Sequence, residues 1–115
     1  MALAETVRGL LKERGMCSKI GVVEEKPGCT LLYCDGGDGV LIAVFEHDGW
    51  VYGKMVAEGS VKPYMWHCDE LLYTPYGVYA FARSADELVS KLVGKKRLVL
   101  GQLRLALERL ADMEE

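Results

Sequence analysis

Asparagine is absent from this chain of 115 residues, and Gln102 is its one glutamine. Depletion of thermolabile amides is a feature of thermophile proteins, so a thermophile source is an expectation. Long apolar runs are missing too. The longest strongly apolar stretch is VLIAVF at 40–45, far short of the roughly 20 residues that cross a bilayer as a helix. The first segment, MALAETVRGLLKERG, is interrupted by Glu5, Arg8, Lys12, Glu13 and Arg14 and lacks the apolar core and small-residue cleavage site of a secretion signal. These absences set the expectation of a cytoplasmic protein with no membrane partner. Histidine is scarce, with His47 and His67 alone, and no HExxH pairing arises.

What is present describes a folding chain. Half of the residues are hydrophobic, 27% are charged, and 13 glycines and 3 prolines are too few for a low-complexity linker. A mass of 12.8 kDa fits one domain spanning residues 1–115. The net charge of −3 hides an asymmetry. Residues 35–70 hold seven acidic groups against Lys54 and Lys62, a balance of −5, whereas residues 83–109 hold seven basic groups against three acidic ones, a balance of +4. A folded surface with two electrical halves is expected.

Hydrophobic spacing sets the order of elements. Leu3, Val7, Leu10 and Leu11 recur at helical intervals over residues 2–14, with Gly15 as the stop. Four β-rich runs follow, KIGVVE, TLLYC, GVLIAVFEH and WVYGKMVA, divided by KPG, DGGDG and DG. Asp48-Gly49 is a strong hairpin signal, and the continuous VLIAVF run belongs in a central strand buried on both faces. Residues 58–76 are irregular, with a short helical turn allowed near 67–72, and 77–82 read as a fifth strand. Ser84 and Glu87 have the spacing of a capping box. Gly94 is read as separating that helix from a last one over 96–113. The expectation is an α+β fold, order α-β-β-β-β-β-α-α, with a largely antiparallel sheet and helices packed on one face.

Few residues look like chemistry. The DGGDG loop lacks the terminal Lys-[Ser/Thr] of a phosphate-binding loop and the donor spacing of a calcium loop, so Asp35 and Asp38 read as turn residues. Cys17, Cys29, Cys34 and Cys68 read as buried thiols; disulfides and a zinc site completed by His67 are the alternatives. His67, Cys68, Asp69 and Glu70 supply the side chains of an acid, a nucleophile and a base, but neighbours in sequence seldom form a triad. No catalytic, metal or cofactor residue is assigned.

Function is therefore expected at a surface. A small protein-protein interaction or assembly module, self-associating as a homodimer, is the leading expectation, with Trp50, Tyr52, Tyr64, Trp66, Leu103, Leu107 and Leu110 at the interface. The alternative is a nucleic-acid-binding accessory protein whose phosphate contacts are Lys91, Lys95, Lys96, Arg97 and Arg104. A small enzyme or metal-binding protein is the second alternative.

Overall fold

Val7 and Leu11, four residues apart, lie on one side of a helical turn and are fully buried in α1, Leu3–Glu13. The helix ends where the sequence stops being able to continue it. Gly15 takes φ 74°, and the amides of Gly15 and Met16 return to the carbonyls of Lys12 and Leu11 at 3.1 Å each. This is a Schellman cap, which needs the left-handed conformation that glycine adopts without cost from a Cβ. The computed structural model describes residues 3–113, with the side chains of residues 97 and 102–113 outside the described set.

Five strands follow in a meander: β1 Lys19–Lys26, β2 Cys29–Asp35, β3 Gly39–His47, β4 Trp50–Ala57 and β5 Val78–Ala82. Each pairs antiparallel with its neighbour in the order β1-β2-β3-β4-β5. The β3–β4 connection is the two-residue Asp48-Gly49 turn, with φ 49° and 79°. Positive φ at both central residues matches the twist of the flanking strands, as expected of an Asp-Gly hairpin. The β2–β3 turn is DGGDG. Asp35 Oδ1 accepts the Gly37 amide at 3.1 Å, and a side chain at Gly36 would collide with the Met16 carbonyl. Its aspartate and glycines serve the chain reversal.

β3 is central, and Val40 to Phe45 are all buried. Alternation then sorts the core into two layers. Val40, Ile42 and Val44 face α1 and the last helix, together with Leu32, Met55 and Ala80. Leu41, Ala43 and Phe45 face the opposite way, toward Val61, Cys68 and Leu71. Those residues belong to the segment after β4, which contains two 3₁₀ turns, Glu58–Ser60 and Pro63–Met65, and a short α2, Cys68–Tyr73. The two long helices share one face, and the irregular segment closes the other.

The C-terminal helix pair expected from Gly94 is one helix, α3, Ala85–Met113. Gly94 is exposed, with open space where a side chain would be. A lone glycine costs a helix about 1 kcal/mol relative to alanine, and the core contacts of Leu88, Leu92 and Val99 on both sides of it outweigh that. The start follows expectation more closely: Ser84 Oγ accepts the Glu87 amide at 3.2 Å. Glu87 returns its carboxylate one residue upstream of the cap, to the Arg83 amide at 3.3 Å.

The expectation of free thiols is corrected. Cys17 bonds Cys34 and Cys29 bonds Cys68, with Cα separations of 5.3 and 6.5 Å. Cys29 and Cys34 lie five positions apart on β2, so they point to opposite faces of the sheet. One disulfide ties β2 to the segment after α1, and the other ties it to α2. In the chain-entropy account, closing spans of 17 and 39 residues stabilises the fold by about 3 and about 4 kcal/mol. Alkylation without reductant is expected to label no cysteine, and peptide mapping to recover the 17–34 and 29–68 pairs. Replacing Cys29 and Cys68 together by serine is expected to lower unfolding free energy by about 3 to 4 kcal/mol, measured in denaturant.

Candidate functional site: an aromatic and basic surface along β5

Sheet register builds the surface. Phe45 opposes Tyr52 and Tyr52 opposes Phe81, so three rings on neighbouring strands stand in one row. Phe45 and Tyr52 have centroids 4.9 Å apart at 8° between planes, and Tyr52 and Phe81 are 5.6 Å apart at 26°. Tyr79 lies beside Phe81 along β5, with 6.4 Å between centroids. The row begins buried, since Phe45 is 7% exposed, and ends open, since Phe81 is 54% exposed. Trp50 extends the patch toward the β3–β4 turn, with the Arg83 guanidinium 3.6 Å from its ring centroid. An arginine held on an indole face is favoured electrostatically, and Arg83 is exposed.

α2 covers this face only in part, so the β5 end is left open. Tyr79 donates its hydroxyl to the Leu72 carbonyl, marking the rim of the cover. Beneath that rim the ammonium of Lys54, buried among the sheet residues, donates to the Thr74 carbonyl at 2.7 Å and lies 4.2 Å from the Tyr79 ring. That anchors the turn leading into β5.

The outer edge of β5 is blocked by α3. Lys91 Nζ donates to the Phe81 carbonyl and Lys95 Nζ to the Tyr79 carbonyl, each at 2.6 Å. An unpaired strand edge is a template for another strand, and lysine is a usual protection. Lys91 also pairs with Glu87 at 3.2 Å. The Arg83 amide and the Lys91 ammonium hold the Glu87 carboxyl below its ordinary range. Among the described residues, no carboxylate pairs with Arg83 or Lys95.

The structure gathers some of the sequence-derived candidates and separates others. Trp50, Tyr52, Lys91 and Lys95 converge on the β5 end. Tyr64 is exposed in the Pro63–Met65 turn, and Trp66 stacks on Tyr33 at 5.8 Å over the second core layer. Lys96 lies near Gly36 at the β2–β3 turn. The side chains of Arg97, Leu103, Arg104, Leu107 and Leu110 lie outside the described set. Sequence reasoning missed Phe81, Tyr79 and Arg83. Their alternation in VYAFAR after Gly77 was the available signal.

A second cluster fastens α2 to β1. Glu24 Oε2 lies 2.6 Å from His67 Nδ1, Glu24 Oε1 accepts the Cys68 amide at 3.1 Å, and Lys26 pairs with Asp69 at 2.8 Å. The His67 hydrogen bond, followed by the Cys68 amide, holds the Glu24 carboxyl below its ordinary range. These contacts join His67, Cys68 and Asp69 of the α2 start to Glu24 and Lys26 of β1. Cys68 carries no thiol, being disulfide-bonded, and no group of three metal-ligating side chains occurs among the described residues. None of the described helices is long and apolar enough to cross a membrane. Comparison with protein-family profiles, curated proteins and solved structures found no match.

Because Glu24 has a depressed folded pKa, its stabilising contribution is present above its unfolded value near 4.5 and is lost as pH falls through the lower folded value. Glu24→Gln is therefore expected to lower the denaturation midpoint at pH 7. The gap from wild type should narrow toward pH 3 in parallel urea titrations. A gap independent of pH would show that Glu24 acts through packing.

Proposed function

We propose that the chain is a small assembly module that pairs with a second copy of itself along α3. The observation that carries this reading is the uninterrupted run of α3 past the sheet. Leu88 and Leu92 lie over Gly53 in the middle of β4, and Lys96 is already beside Gly36 in the β2–β3 turn. Val99 is the last buried α3 side chain among those described, yet the helix continues to Met113. At 1.5 Å per residue, that continuation is about 20 Å long.

Its sequence has the pattern of a helix seam. Leu100, Leu103, Leu107 and Leu110 follow 3,4,3 spacing, which places one apolar stripe on a helix facing a partner. Val93, seven residues before Leu100 and next to that stripe on the helix surface, is exposed and extends the apolar area. A partner helix removes such a stripe from water, and two-fold pairing of identical chains is the commonest solution. A cytoplasmic setting is part of the proposal. Intracellular disulfides occur in hyperthermophiles, and the missing amides fit that source.

Light scattering after size exclusion is expected to give twice the 12.8 kDa of one chain. Leu103→Glu with Leu107→Glu is expected to give a monomer whose near-ultraviolet circular dichroism keeps the wild-type signature of a packed core. A wild-type monomer at high concentration overturns the proposal.

A further inference from the structure

Two features far apart in sequence meet at the β5 edge: the aromatic row that ends at Phe81 and the basic first half of α3. We infer that this edge is a binding site for single-stranded nucleic acid, in which an unpaired base extends the Phe45–Tyr52–Phe81 stack while phosphates engage Arg83, Lys91 and Lys95. The inference does not depend on α3 pairing.

The geometry favours this occupant over others. The three rings are close to parallel, and the outermost is half exposed. A planar base continues such a stack, and stacking of bases on aromatic side chains is the main sequence-tolerant contribution in single-strand binding. Duplex bases have both faces occupied by their neighbours, which favours an unpaired strand. The cations border the outermost ring: Lys91 holds the Phe81 carbonyl, and Arg83 follows two residues later on the same strand face. Lys91 and Lys95 are pinned to the β5 carbonyls at 2.6 Å, and Arg83 is fixed on Trp50 at 3.6 Å. Among the described residues, Lys91 pairs with Glu87 at 3.2 Å while Arg83 and Lys95 have no carboxylate partner, which leaves a net positive edge complementary to a phosphate backbone.

The same contacts disfavour the alternatives. An added peptide strand would find the Tyr79 and Phe81 carbonyls already occupied. A second copy meeting this face about a two-fold axis at the β5 edge would bring two cationic clusters together.

The test is fluorescence anisotropy with a labelled mixed-sequence RNA of roughly twelve nucleotides, the same sequence as DNA, and its duplex. At about 50 mM salt, single strands are expected to bind in the micromolar range and the duplex more weakly. Log affinity should fall with log salt at a slope of about −2, since three phosphate contacts contribute about 0.7 each. Phe81→Leu keeps apolar bulk without a ring and is expected to weaken binding about tenfold at unchanged melting temperature. Arg83→Gln should reduce the steepness of the slope by about 0.7. Binding of both single strands supports the inference, and binding of RNA alone supports it while assigning a contact to the ribose hydroxyl. No binding, equal binding of the duplex, or undiminished binding by Phe81→Leu overturns it. So does loss of a chain dimer in Phe81→Leu, which would assign this face to a second copy.

Discussion

Six consecutive apolar residues in β3, Val40 to Phe45, point alternately to both faces of the sheet. Neither face can remain in water, because each large apolar side chain left exposed forfeits about 1.5 to 3 kcal/mol of burial free energy. The rest of the molecule follows from having two faces to close. α1 and α3 close one with regular helical stripes. The segment between β4 and β5 closes the other with two turns and a six-residue helix, too short to be stable alone. A cover of that kind needs fastening. It has the Cys29–Cys68 bond, the Glu24–His67 and Lys26–Asp69 contacts, and the Tyr79 hydroxyl on Leu72. β2 holds both covers, one disulfide to each side.

The second cover is smaller than the face it lies on, and that mismatch produces the candidate site. Apolar burial runs from Leu31 and Ala43 to Phe45, then gives way to Tyr52 and Phe81 at increasing exposure. The sheet manages its open end with specific groups. Lys54 holds the incoming turn, Arg83 lies over Trp50, and Lys91 and Lys95 occupy the carbonyls of β5. Protection against strand addition and attraction of anions come from the same two ammonium groups.

Most of the architecture was legible in local chemistry. The Asp48-Gly49 turn, the central burial of VLIAVF, the glycine stop of α1 and the five strands each rest on interactions within a few residues. The misreadings concern competition between local signals and tertiary contacts. Gly94 looks like a helix end until Leu92 and Val99 are known to share one core. The cysteines read as thiols because the first segment lacks the pattern of a secretion signal, and thiols are the rule in a reducing compartment. Cys29 lies just outside the TLLYC run, so its place in β2, which sets it on the opposite face from Cys34, emerges only in the structure. The aromatic row was legible only in halves, because Tyr52 and Phe81 are joined by register across an irregular stretch whose length conceals it.

α3 connects the two proposed surfaces through one rigid element. Leu88, Leu92 and Val99 face the core, so the rotation of the helix about its axis is set by burial. That rotation places Lys91 and Lys95, one turn apart, along the β5 edge. The same helix continues without interruption through Gly94 to Met113. The helix cannot turn to improve one surface without displacing the other. A substitution that repacks Leu88 or Leu92 therefore perturbs the lysine contacts and the leucine stripe together, whereas one at Phe81 leaves the helix in place. This separation is what makes the two surfaces independently testable in a chain this small.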